Sequence, residues 1–166
     1  MQVGFIGTGT MGNPMARCLI EAGFLITVHD VRRAATTNLC EMGARWADSP
    51  RAVAAASDVV VTSLPGPGEV KQVVLDPSAG VLAGLRTGAA YIDTTTNSPA
   101  VFRQVAAECR ARGVEVLDAP VSGRPPQMTM MVGGNRAAFE TYLPLLQTMG
   151  RHVIYVGETG TGCIAK

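Results

Sequence analysis

A chain of 166 residues that is 47% apolar and 16% charged is long enough for one domain with a proper core and too apolar to stay disordered. A net charge of +1, with no run of Lys or Arg, offers no electrostatic ground for binding nucleic acid or an anionic membrane, so neither partner is expected. Cys18, Cys40, Cys109 and Cys163 are scattered, with no C-x-x-C pair and no His at ligand spacing, so no metal is expected and the thiols should be reduced and mostly buried.

Met1 leads straight into a β-branched and apolar run, Val3 to Ile6, which reads as the first strand. No basic or apolar leader precedes it and no apolar stretch reaches membrane-spanning length, so a cytoplasmic location is expected. Gly7-Thr8-Gly9-Thr10-Met11-Gly12 follows, then a helical pattern from Met11 to Ala22 closed by Gly23, then a strand from Leu25 to His29 that ends at Asp30. Strand, glycine turn, helix, strand and acid in that order form the dinucleotide fingerprint, with the acid about 20 residues past the turn. The three glycines act differently, in that Gly7 permits the tight turn, Gly9 lets backbone approach a pyrophosphate, and Gly12 lets the helix pack closely. The free N–H groups and positive dipole end of the helix face the phosphates. Gly7, Gly9, Thr10, Met11 and Gly12 are therefore cofactor-binding candidates. Asp30 would accept hydrogen bonds from both adenosine ribose hydroxyls, which favours NAD, because a 2′-phosphate would meet its charge. Arg32 and Arg33 leave NADP open, since an arginine just past the second strand can hold a 2′-phosphate; both also read as ordinary exposed charges.

Helical spacing then runs from Arg33 to Met42 before Gly43, and from Pro50 to Ala56 behind an N-cap at Ser49. Val59 to Ser63 reads as a strand, followed by Ser63-Leu64-Pro65-Gly66-Pro67-Gly68 and a helix from Glu69 to Leu75. That proline-glycine segment lies where such sheets bind ligands, and reads equally as a structural turn. Ala90 to Asp93 is the next strand, and Asp93-Thr94-Thr95-Thr96-Asn97-Ser98-Pro99 places hydroxyls at the same crevice or serves as a Thr-rich helix entry capped by Ser98. After the helix from Pro99 to Arg112 and Gly113, a strand from Val114 to Asp118 runs into Ala119-Pro120-Val121-Ser122-Gly123, whose hydroxyl and backbone donors suit a small anion. Met128 to Val132 and Val153 to Val156 read as strands around a helix from Arg136 to Thr148. Gly157 to Lys166 carries three glycines and looks like the first turn of a helix. The alternation predicts an α/β fold: a doubly wound, Rossmann-type, mostly parallel sheet with helices on both faces. Residues 1–156 form the dinucleotide-binding domain in this reading, and residues 157–166 begin a connection.

These segments together resemble the β-hydroxyacid dehydrogenase family, of the 3-hydroxyisobutyrate dehydrogenase type, which shares its nucleotide domain with 6-phosphogluconate dehydrogenase. The resemblance covers the whole chain and rests on Gly4 to Ala16, on Asp118 to Gly123, on Met131 to Gly134, and on Gly160-x-Gly162-x-x-x-Lys166. It implies hydride transfer between NAD and a small 3-hydroxy acid, with Lys166 as the catalytic lysine and Ser122 and Gly123 holding the substrate carboxylate. It also implies that Thr96 touches the nicotinamide end of the cofactor and that Leu64 and Pro65 line its ribose. Family reductases that use NADPH on semialdehydes are one alternative, favoured by Arg32 with Arg33, and a non-catalytic dinucleotide-binding module is another. The family usually continues after Gly123 with a longer Gly/Ala-rich loop, whereas here Arg124-Pro125-Pro126-Gln127 leads directly to Met128. Arg124 thus becomes a candidate partner for an acidic substrate, while the prolines remove backbone donors. Family members also run past the lysine into an all-helical domain that closes over the substrate and usually builds the dimer, whereas this chain stops at Lys166. The resemblance therefore implies a homo-oligomer, and a 166-residue chain that binds cofactor but turns over poorly.

Overall fold

The computed structural model describes residues 1–124 and 127–166, so Pro125 and Pro126 of the shortened loop lie outside the described residues. The chain runs β1 (Gln2–Ile6), α1 (Gly12–Glu21), β2 (Leu25–His29), α2 (Thr37–Glu41), β3 (Arg45–Trp46), α3 (Pro50–Ala55), β4 (Val59–Thr62), α4 (Pro67–Leu75) and α5 (Val81–Gly84). It continues through β5 (Ala90–Asp93), α6 (Pro99–Ala111), β6 (Glu115–Asp118), β7 (Val121–Ser122), β8 (Thr129–Gly134), α7 (Arg136–Met149), β9 (His152–Gly157) and α8 (Thr161–Ala165).

These strands form one sheet in the order β3-β2-β1-β4-β5-β6-β8-β7, with β9 on β8. Pairing is parallel from β3 across to β6 and again between β8 and β9, while β8 is antiparallel to β6 and β7. Side chains alternate across each strand, so Val3, Phe5, Val59, Val61 and Ile92 join one core with Met15 and Leu19 of α1 and Leu146 of α7. Ile6, Val60 and Tyr91 face the other way, onto Val70 of α4 and Phe102 and Val105 of α6. A sheet buried on both faces needs continuous apolar runs, which explains why β1, β4 and β5 are so apolar. The chain leaves β1 toward β2 on one side and crosses back to β4 on the other. That reversal opens a crevice at the carboxyl ends of β1 and β4, where doubly wound sheets take ligands.

Several local expectations need correction. Residues 33–42 are not one helix: Arg33–Thr36 is a 3-10 turn, in which the Thr36 hydroxyl donates to the Arg33 carbonyl at 2.7 Å, and α2 follows it. Ser49 caps α3 by accepting from the Ala52 N–H at 3.2 Å, but Ser98 makes no such bond. Its own N–H instead donates to Asn97 Oδ1 at 2.8 Å. The cysteines are free, yet of the four Cys109 is buried and the others are half-buried. β3, β7 and α5 lie in stretches where no periodic pattern predicts an element.

Candidate functional site

The turn after β1 is built by contacts too close for any side chain. Gly7 has φ of +88°, and a Cβ there would lie 2.2 Å from the Ser63 carbonyl oxygen, so glycine lets the loop after β4 close against this turn. A Cβ at Gly12 would lie 1.8 Å from the Gly7 carbonyl oxygen, which fixes the start of α1 against the turn. Gly9 is the opposite case: a Cβ there meets nothing within 4 Å. Two glycines therefore hold the turn together, and the third leaves bare backbone beside open space.

Asp30 locks this turn to β2. Its Oδ2 accepts from the Thr8 N–H at 2.8 Å and the Thr8 hydroxyl at 3.3 Å, and its Oδ1 accepts from the Arg32 N–H at 2.9 Å. The residue is 7% exposed, so this carboxylate is first a structural acceptor, and it also borders the crevice.

A cavity of about 950 Å³ runs along the carboxyl ends of the strands. Gly7, Gly9, Thr10, Met11, Gly12, Asp30 and Arg32 line one stretch of it, Leu64, Pro65 and Thr96 another, and Gly123 and Lys166 also border it. One trough thus collects most residues singled out from the sequence. Ser122 and Arg124 are exposed and do not border it, although Val121 and Gly123 on either side of Ser122 do. Sequence reasoning missed Val31, Gln72, Val73 and Asp76, which also line the trough. The signal for the last three was weak: α4 turns one face to the crevice, and only the packing of Val70 and Val74 into the core says which.

The loop that carries Thr96 hangs from a buried acid. Asp93 accepts from the Thr62 hydroxyl at 2.9 Å, the Thr95 N–H at 3.1 Å and the Asn97 side-chain amide at 2.8 Å. Burial pushes its carboxyl above the ordinary range, against the pull of these hydrogen bonds. Tyr91 shares its hydroxyl with Thr62 at 2.8 Å, and burial drives its phenol well upward. The Thr95 hydroxyl accepts from the Leu64 N–H at 3.0 Å, tying the loops after β4 and β5 into one rim. Beside Asp118, burial and that carboxylate push the Cys163 thiol strongly up, and burial holds Cys109 at about 12. Neither thiol has the character of a reactive nucleophile.

A doubly wound sheet with a glycine cradle, a strand-end acid and a trough at its switch point defines a dinucleotide-binding domain. Residues 2–157 match the family described as the NAD binding domain of 6-phosphogluconate dehydrogenase, and the chain belongs to that family. It is 39% identical to the NAD-dependent L-serine dehydrogenase of Pseudomonas aeruginosa over 170 residues, covering 99% of this chain and 57% of that protein. It is 38% identical to the mitochondrial 3-hydroxyisobutyrate dehydrogenase of Homo sapiens over 170 residues, covering 99% of this chain and 50% of that one. The solved structure of the 3-hydroxyisobutyrate dehydrogenase of Mycobacterium tuberculosis with L-serine superposes with a TM-score of 0.92 at 32% identity, over 99% of this chain and 58% of that chain. The chain spans about half the length of the curated relatives it matches. No helix among the described residues is long and apolar enough to cross a membrane.

Proposed function

We propose that this chain is the dinucleotide-binding part of an NAD-dependent oxidoreductase of the 3-hydroxyisobutyrate dehydrogenase type, acting on a small 3-hydroxy acid. Residues 1–156 are the dinucleotide-binding domain in this reading, and residues 157–166 a connecting segment. The observation that carries it is the joining of the Gly7 to Gly12 turn, Asp30, Thr96 and Lys166 along one trough. The site fits the cofactor: open space over Gly9 suits a pyrophosphate, and the positive dipole end of α1 suits its charge, although the Asn13 N–H is taken by the Gly9 carbonyl at 2.9 Å and Pro14 has none to offer. A bound nicotinamide supplies the site from which hydride leaves or to which it returns. Asp30 takes the ribose hydroxyls with the lone pairs that Thr8 and Arg32 leave free, while Leu64 and Pro65 pack on the ribose at the nicotinamide end. Lys166 Nζ accepts the substrate hydroxyl proton in oxidation and returns it in reduction. Gly123, with Ser122 and Arg124 beside it, orients the substrate carboxylate.

A second reading, NADPH with a semialdehyde, is favoured by Arg32, which borders the trough next to Asp30. Arg33 is drawn away, its guanidinium lying 5.4 Å from the Trp46 ring centroid. Asp30 and the NAD dependence named for the Pseudomonas relative weigh for NAD. The four free cysteines support a reducing compartment such as the cytoplasm, although the human relative is mitochondrial by name. Exposed Ile154 on β9 and Ile164 on α8 support association of copies. The test is NADH formation from 3-hydroxyisobutyrate and from L-serine by the whole oxidoreductase of which this chain is the proposed dinucleotide-binding part, and by its Lys166→Met variant. Turnover lost in the variant with NADH affinity kept supports the proposal, and equal turnover in both overturns it.

A further inference from the structure

Asp118 closes β6 and is fully buried. Its Oδ1 accepts from the Gly160 N–H at 2.8 Å and its Oδ2 from the Cys163 N–H at 2.9 Å. These donors sit at the N-terminus of α8, whose N-cap residue, Gly160, has no side chain to serve its own helix and adopts φ of +87°. The free N–H groups that begin any helix need acceptors when buried. Here a carboxylate from a strand more than 40 residues earlier takes two of them.

The slot around that carboxylate has a fixed size. A Cβ at Gly133 would lie 2.7 Å from Asp118 Oδ1 and 2.8 Å from the Gly162 nitrogen, and a Cβ at Gly162 would lie 2.8 Å from Asp118 Oδ2 and 2.5 Å from the Met131 carbonyl. α8 can therefore neither slide along β8 nor roll without breaking charged hydrogen bonds or striking backbone. Lys166 stands within one turn of Cys163, its N–H donating to the Gly162 carbonyl at 3.1 Å. A displacement of the clamped turn passes directly to the lysine. A small apolar contact would hold the helix down as well, but it would leave the helix free to rotate. Ionised acceptors bind more tightly and with more direction.

We infer that Asp118 is a positioning residue: by capping α8 from β6, it sets where the Lys166 amine enters the trough. The inference rests on Lys166 being the proton-transfer group. Asp118→Asn keeps the volume but turns one acceptor into a donor facing an N–H, so it breaks the clamp without opening a cavity. Two lysines, Lys71 and Lys166, make lysine ¹³Cε resonances a direct readout, with Lys71 as internal control. In the unsubstituted protein the Gly160 and Cys163 amides exchange slowly with solvent, and NADH shifts the Lys166 resonance. In Asp118→Asn those amides exchange fast, the NADH-induced shift of Lys166 shrinks, and kcat falls by about 10- to 100-fold with NADH affinity unchanged. Fast exchange of both amides in the unsubstituted protein would overturn the clamp without any variant. A normal Lys166 response and kcat in Asp118→Asn would overturn it too, as would parallel loss of NADH affinity and the folded signal, which assigns Asp118 to folding alone. Turnover retained in Lys166→Met would instead defeat the proposed function, while amide exchange and the Lys166 resonance still judge the clamp.

Discussion

Replacing Asp30 with Ala removes three hydrogen bonds seen in the structure, two from Thr8 and one from the Arg32 N–H, together with the lone pairs proposed to meet the ribose. The two losses have separate readouts. Thr8 is 2% exposed, so its stranded N–H costs about 1–3 kcal/mol of stability. For a domain of this size that is roughly 2–12 °C in melting temperature. Ribose hydroxyls bonded to a charged acceptor contribute about 1.5–3 kcal/mol, so NADH affinity should fall about tenfold to a hundredfold. Fluorescence titration with NADH well below the melting temperature isolates the second effect from the first. NADPH should lose far less, because its 2′-phosphate no longer meets a carboxylate. Asp30→Asn keeps one acceptor for Thr8 and should melt higher than the Ala variant while still losing discrimination against NADPH. Unchanged NADH affinity in Asp30→Ala would refute the assignment of this acid to the ribose.

Gly9→Ala places a methyl group in open space, so the unfolding free energy from urea titration should stay within about 0.5 kcal/mol of wild type while NADH affinity drops; unchanged affinity would mean the pyrophosphate lies elsewhere. Gly12→Ala drives a Cβ to 1.8 Å from a backbone oxygen and should cost about 1–3 kcal/mol or more in the same urea experiment. Arg32→Ala should weaken NADPH and leave NADH alone, and equal weakening of both would remove the second cofactor reading. Burial raises Asp93 above its unfolded value of about 3.9, so the folded state binds that proton more tightly. Its contribution to stability is then fully present below about pH 3.9 and is lost as pH rises through the folded value. Asp93→Asn abolishes that dependence, so its melting temperature should gain on wild type from about pH 4 upward, and a constant gap would show that burial does not govern this carboxyl.

The parts of this molecule legible in the sequence are those whose cause is local. β1, β4 and β5 are buried on both faces and therefore appear as unbroken apolar runs, and Gly23, Gly43 and Gly113 take the positive φ that ends helical segments. β3 and β7 are two residues each and exist because a neighbouring strand offers its edge, so no period could announce them. At the site, the Gly7 to Gly12 turn and Asp30 were visible because fingerprint spacing is short-range. Thr8 as the residue that occupies Asp30 was not, and neither was Asp118 as a cap for α8, since both depend on where distant segments meet. Gly133 and Gly162 lie where those segments meet: glycines in a strand and a helix, where glycine is otherwise unfavourable, leave no room for a Cβ beside the Asp118 carboxylate.

The central claim is that the trough over Gly9 holds a nicotinamide dinucleotide, and amide chemical shifts of the ¹⁵N-labelled chain titrated with NADH test it most directly. Saturable shifts should gather at Gly7, Gly9, Thr10, Met11, Gly12, Asp30, Leu64 and Thr96. Absence of saturable shifts, or shifts gathered instead around Arg103 and Arg110 of α6, which reach Thr159 away from the trough, would contradict it.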